Sequence, residues 1–122
     1  MDFHLKDARP IWQQLADQIT VSIITGEFPP GERFPSVRDL AVQAGVNPNT
    51  MQRALGRLED AGLLVTERTA GRSVTTDEAA IRAMRTALAG KRVTEYMEDM
   101  KKLGFSASDA AEYAAKYGKE AL

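Results

Sequence analysis

Pro35-Ser-Val-Arg-Asp-Leu-Ala-Val-Gln-Ala-Gly-Val-Asn-Pro-Asn-Thr-Met-Gln-Arg-Ala-Leu-Gly-Arg-Leu58 decides the fold of this 122-residue chain. It reads as two short helices joined by a tight turn. Ser36 suits the N-cap of the first, and Asp39, three residues on, makes Ser-x-x-Asp a capping box with a shorter acid. Val37, Leu40, Ala41 and Ala44 recur at helical spacing and are expected to face inward. Gly45 supplies the positive φ that ends a helix without steric cost. Asn47 suits the second N-cap and Pro48 the first helical position, where its missing N–H costs nothing. Val46 and Met51 are placed to form a hydrophobic staple.

On a helical wheel Met51, Ala54, Leu55 and Leu58 make one apolar stripe. At about 100° per residue, Asn49, Arg53 and Gly56 lie opposite it, with Thr50, Gln52 and Arg57 flanking them. This is the layout of a helix-turn-helix, whose second helix enters the major groove of DNA. Outward Asn, Gln and Arg suit base edges: Arg for guanine, Asn or Gln for adenine. Gly56 has two readings, a close backbone approach to a phosphate or simple tolerance of a weak helix former. A plain αα-corner with a solvated polar face is the alternative for the whole segment.

Length bounds the chain to one domain, or one domain with a small appendage. Its 43% hydrophobic content can supply a core. No apolar run approaches the roughly 20 residues of a membrane span, and no signal peptide begins the chain. Cys is absent, which excludes disulfides and a Cys-type zinc site, and His4 is the only His. A cytoplasmic protein without membrane contact, cofactor or metal is therefore expected. The net charge of −1 argues mildly against nucleic acid. Its distribution argues the other way. Arg38, Arg53 and Arg57 face Asp39 alone between Ser36 and Leu58, while acids gather at Asp2, Asp7, Asp17, Glu59 and Asp60.

Outward from the central stretch, residues 2–6 alternate, Phe3 and Leu5 against His4 and Lys6, as a short strand or an extended arm. Pro10 opens a helix to about Thr25. Ile11, Leu15, Ile19 and Ile23 line its inner face, and Trp12 beside them is expected in the core. Phe28-Pro-Pro-Gly31 makes a rigid turn, and Arg33-Phe34 a short extended piece. Beyond Leu58, Leu63–Arg68 and Arg72–Thr76 read as two strands joined by Thr69-Ala70-Gly71. Helix, helix-turn-helix and hairpin in that order make a winged helix. Arg68 and Arg72 are the candidates for wing contacts along the DNA backbone or in the minor groove.

From Asp77 the chain becomes alanine-rich helix. Ile81, Met84 and Leu88 form one stripe, and Val93, Tyr96, Met97, Met100 and Leu103 another, rotated from the first. The phase change near Gly90 predicts a kink or break, or one helix serving two surfaces. Ser106 caps a last helix, with Ala110, Tyr113, Ala114 and Tyr117 on its apolar side. Two such helices cannot bury both faces alone, so they are expected to pack on the winged domain, on a second copy, or on both. The eight residues of the two stripes are the candidates for a dimer interface, and an effector pocket is the alternative.

Order and wording resemble the GntR family of bacterial transcription regulators over almost the whole chain. Pro10-Ile-Trp-Gln-Gln-Leu-Ala-Asp-Gln-Ile19 resembles the family's first helix, with Trp where Tyr is commoner. Gly26–Leu40 is similar to its linker and the first half of its helix-turn-helix, and Gly45–Leu55 to its recognition helix. Asn-Pro-Asn-Thr and the two-helix tail resemble the YtrA subfamily, whose short C-terminal part serves dimerisation. The resemblance implies DNA contacts at Arg38 of the Ser36-Val-Arg motif and at Asn47, Asn49, Thr50, Gln52 and Arg53. The wing departs from the pattern. Arg68-Thr-Ala-Gly-Arg-Ser-Val74 stands where Arg-Gly-x-Gly-Thr-Phe-Val is usual, and Thr69 cannot copy glycine's backbone freedom without cost.

The expected architecture is mainly α with a small β-wing. A winged helix-turn-helix over residues 1–76 binds DNA, followed by a two-helix dimerisation or effector segment over 77–122. The expected function is sequence-specific transcription regulation, as a repressor binding a palindromic operator in double-stranded DNA as a homodimer, with an unknown small-molecule effector as a further partner. The alternative is a winged helix that meets only a protein. Enzymatic function is not expected: one His, no Cys and no Gly-rich phosphate loop leave only scattered carboxylates.

Overall fold

The computed structural model describes residues 1–6 and 8–122. Asp7, one of the acids counted near the start, lies outside them. The elements run α1 (Ile11–Ile24), α2 (Val37–Ala44), α3 (Pro48–Asp60), β1 (Leu64–Glu67), β2 (Gly71–Val74), α4 (Glu78–Lys102) and α5 (Ala107–Ala121). They fall into two compact units, Met1–Met84 and Arg85–Leu122.

The expected punctuation of the central stretch is present. The Ser36 hydroxyl accepts from the Asp39 N–H at 3.1 Å, and the Asn47 side-chain oxygen from the Asn49 N–H at 2.7 Å. Each satisfies a donor that a helix start leaves orphaned. Gly45 sits at φ 67°, the left-handed position that turns the chain from α2 into α3. Side chains with a Cβ resist that conformation, which is why glycine stands there.

The first unit is built around α3. Met51, Ala54 and Leu55 are fully buried and Leu58 nearly so. They meet Leu15, Ile19 and Ile23 of α1, Leu40 and Ala41 of α2, and Leu63, Leu64 and Val74 of the hairpin region. Burying one such Leu or Ile contributes about 1.5–3 kcal/mol. Val46, the staple residue, packs against the same cluster.

β1 and β2 pair antiparallel, Leu64 opposite Val74 and Glu67 opposite Gly71. Arg33 adds a one-residue antiparallel bridge to Ser73. The Phe34 N–H donates to the Arg72 carbonyl at 2.8 Å, and the Val74 N–H to the Glu32 carbonyl at 2.8 Å. The extended Arg33-Phe34 piece is thus a third, minimal strand that anchors the hairpin's base beside α2.

The N-terminal residues form an arm rather than a strand. Phe3 and Leu5 pack on the core while His4 and Lys6 are exposed. Two glutamines of α1 pair with the arm's backbone. Gln18 accepts from the His4 N–H at 3.0 Å and donates to the His4 carbonyl at 2.8 Å. Gln14 accepts from the Lys6 N–H at 2.7 Å and donates to the carbonyls of Lys6 and Arg9. Gln14 is consequently buried, at 5% exposure.

Two expectations need correction. Trp12 is only half-buried and lies outside the core cluster. Its ring takes charged partners instead, as described below. Ile81, expected at a dimer face, is buried at 9% exposure in the core of the first unit, and Met84 packs against that core. The first turn of α4 therefore packs with the winged helix, in the compact unit that runs from Met1 to Met84.

α4 runs unbroken through Gly90. In the second unit the Tyr96 hydroxyl donates to the Ala110 carbonyl of α5 at 2.7 Å, and Ala110 is buried. Ser106 caps α5 through the Asp109 N–H at 3.1 Å. Phe105 and Tyr113 meet edge to face at 5.0 Å, and Tyr113 stacks on Tyr117 at 5.6 Å. Leu88, Tyr96, Met97 and Met100 are half-buried, whereas Val93 and Leu103 are 59% and 72% exposed. An apolar cleft of about 510 Å³ opens between the end of α4 and the start of α5, lined by Val93, Met97 and Phe105 among others.

Candidate nucleic-acid interface

Burial of the apolar underside of α3 fixes what its outer face offers. Asn49, Gln52, Arg53 and Arg57 are exposed, and Thr50 is half-buried beside them. The rigid body beneath gives these side chains defined starting points, as a base-reading surface requires. Gly56 shares this face, and a Cβ built on it meets nothing within 4 Å. Packing inside the chain therefore does not demand glycine there.

The ion pairs among the described residues are Arg9 with Asp17, at 2.8 Å, and Arg72 with Glu59. Arg38, Arg53, Arg57 and Arg68 thus carry guanidinium groups with no carboxylate partner among those residues. Arg38 is exposed in the first turn of α2, and Arg68 at the exposed tip of the wing. Between Ser36 and Leu58, Arg38, Arg53 and Arg57 stand against Asp39 alone, a local positive excess on a chain of net charge −1.

The other candidates are placed differently. Ser36 and Asn47 are exposed, but each spends its side-chain oxygen on a helix cap. A hydroxyl retains a donor and an amide its NH₂ group, so capping leaves both able to donate to phosphate. Arg72 has a structural partner. Its Nε donates to Glu59 near the end of α3, with side chains only 16% and 29% exposed. The pair ties the second wing strand to the recognition helix.

Removing either partner at this depth leaves a poorly hydrated charge. Glu59→Ala should lower stability by about 1–2 kcal/mol, between the surface and buried cases. A urea titration checks this. A larger loss of duplex affinity in Arg72→Ala than in Glu59→Ala would instead put Arg72 on DNA.

At the wing tip, Gly71 holds φ 75°, and no residue other than glycine has positive φ among those described. Thr69 therefore takes an ordinary conformation, and a single glycine makes the turn that the usual pattern shares between two.

Two participants escape the sequence reading. Trp12 presents its ring to the recognition helix: the Arg53 guanidinium carbon lies 4.2 Å from the ring centroid and that of Arg57 5.4 Å. Glu59 holds the wing, although it reads as one of the acids set apart from the interface. The available signal was the pair of arginines at i and i+4 on the outer face, with the chain's only Trp on a helix that must pack nearby.

A model of the bacterial regulatory proteins of the gntR family matches residues 11–74. The uncharacterised HTH-type transcriptional regulator YhcF of Bacillus subtilis is 32% identical over 112 residues, covering 92% of this chain and 93% of that protein. The HTH-type transcriptional repressor YtrA of the same organism is 34% identical over 98 residues, covering 80% and 71%. The solved structure of a GntR family transcriptional regulator from Listeria monocytogenes superposes with a TM-score of 0.83 at 31% identity, covering 92% and 98%. No helix among the described residues is long and apolar enough to cross a membrane. By family match, by relatives that are regulators rather than enzymes, and by the outward basic face of α3, the chain belongs to the GntR family and is a winged-helix, DNA-binding regulator of transcription.

Proposed function

We propose that this regulator is a cytoplasmic repressor of the YtrA-like kind that binds a palindromic operator as a homodimer. The observation carrying the DNA-reading part is the division of α3 into a fully buried apolar side and an exposed Asn49, Gln52 and Arg53 side. Arg53 is assigned to the O6 and N7 acceptors of a guanine, and Asn49 and Gln52 to adenine edges. Arg38, Arg68, Ser36, Asn47 and Thr50 are assigned to phosphates, which set register without reading sequence.

Dimerisation is assigned to the second unit. Val93 and Leu103 leave large apolar surface exposed there, beside half-buried Leu88, Tyr96, Met97 and Met100. Two copies of α3 related by a two-fold axis would read half-sites with centres about 34 Å apart, one turn of B-DNA. The resemblance to the YtrA repressor supports the negative sign of control. A small-molecule effector acts only through different affinities for two states of the dimer.

Selection of bound duplexes from a random-sequence pool tests the proposal. The expected outcome is a palindrome with half-sites one helical turn, or a multiple, apart. Enrichment of a single, non-repeated half-site would contradict the dimeric reading.

A further inference from the structure

We propose that Trp12 is a positioning residue for recognition: its indole holds Arg53, and more loosely Arg57, in place on the outer face of α3 before DNA arrives. The inference rests on the assignment of Arg53 to a base edge. It begins from the burial of α1, in which Leu15, Ala16, Ile19 and Ile23 fill the core while Trp12, at the helix's first turn, stays half-buried. An indole is large enough to reward full burial. Here it lies instead beneath two guanidinium groups, 4.2 and 5.4 Å from its centroid.

Three physical consequences follow. Arg53 and Arg57 stand at i and i+4 on one helix, where like charges repel. The negative face of the indole attracts both and offsets that repulsion. A guanidinium that rests its flat face on the indole would keep its in-plane N–H donors, the ones that grip guanine, available outward. A long side chain restricted before binding also loses less freedom on binding. Such preorganisation is worth about two- to tenfold in affinity for one side chain.

The test is a double-substitution cycle in the full-length chain, read by equilibrium titration. The probes are a duplex recovered from a random pool and a scrambled duplex of equal length. Trp12→Leu keeps apolar bulk but removes the ring; Trp12→Tyr restores an aromatic face. Trp12→Leu is expected to lose about two- to tenfold in affinity for the selected duplex, with little change on the scrambled one. Trp12→Tyr should recover most of that loss. In an Arg53→Ala background the same Trp12→Leu change should cost less than about twofold, because its partner is already gone.

Equal losses from Trp12→Leu with and without Arg53 would overturn the proposal in favour of general packing. So would tighter binding by Trp12→Leu, which would mean that the ring restrains Arg53 from DNA. If Arg53→Ala leaves discrimination between the two duplexes unchanged, the base assignment fails and the positioning role with it. If Arg53→Ala abolishes discrimination but Trp12→Leu does nothing, only the positioning role falls. A second readout needs no DNA. Trp12 is the only Trp in the chain, so its emission spectrum should shift in Arg53→Ala, and an unchanged spectrum would contradict the stacked arrangement.

Discussion

A chain cut after Met84 should fold, remain monomeric and bind an operator duplex about 10²–10⁴-fold more weakly than the full-length protein. The size of the loss follows from tethering. Once one winged helix of a dimer is bound, the second binds at a high effective concentration, and that gain vanishes when the copies are separated. The cut falls after Met84 because the first unit ends there. A chain cut after Thr76 would also lose Ile81 and Met84 from the core. Burial of Ile81 alone is worth about 1.5–3 kcal/mol, so the shorter fragment should show a lower urea midpoint. Sedimentation and urea titration of both fragments, with duplex titration of the longer one, check these outcomes. Undiminished operator affinity in a monomeric 1–84 fragment would remove the second unit from DNA recognition.

Local chemistry made most of the first unit legible. Ser36, Asn47 and Ser106 act through bonds to an N–H two or three residues away, so sequence spacing is enough to find them. Gly45 and the stripe from Met51 to Leu58 are read in the same way, because backbone geometry and helical period are local properties. The misses share another origin, in partners distant along the chain. Periodicity ranks Trp12 as core by its size, yet two arginines some forty positions away decide its place. Gln14 lies outside the apolar stripe of α1, and only the arm's backbone beside it accounts for its burial. Arg72 reads as a free wing cation because nothing in its neighbourhood reveals Glu59 across the wing. Ile81 and Val93 belong to stripes of one helix, and a stripe's period does not say which body it packs against.

At the interface, composition identified the residue types and the fold supplied their orientation. The outward direction of Asn49 and Arg53 follows from burial of the opposite side of α3, which was legible. The separation of roles among the arginines was not. Arg53 and Arg57 lie against an indole, Arg72 against a carboxylate, and Arg38 and Arg68 point into solvent without a carboxylate partner among the described residues.

Arg53→Ala should cost about 1–3 kcal/mol of operator binding, roughly five- to hundredfold, and relax preference at a single base position in each half-site. The loss should exceed that of Arg38→Ala in its sequence dependence, because a phosphate contact weakens binding to all duplexes alike. The fold should survive, since the apolar side of α3 is untouched, with stability lowered by no more than about 1 kcal/mol through loss of the indole contact.

The most direct measurement of the central claim is therefore the affinity of wild-type and Arg53→Ala chains for a pool-selected duplex and a scrambled one, at one fixed salt concentration. Base reading by α3 predicts a loss confined to the selected duplex. An equal loss on both duplexes would reduce Arg53 to a phosphate contact, and no loss on either would remove Arg53 from DNA and contradict the account.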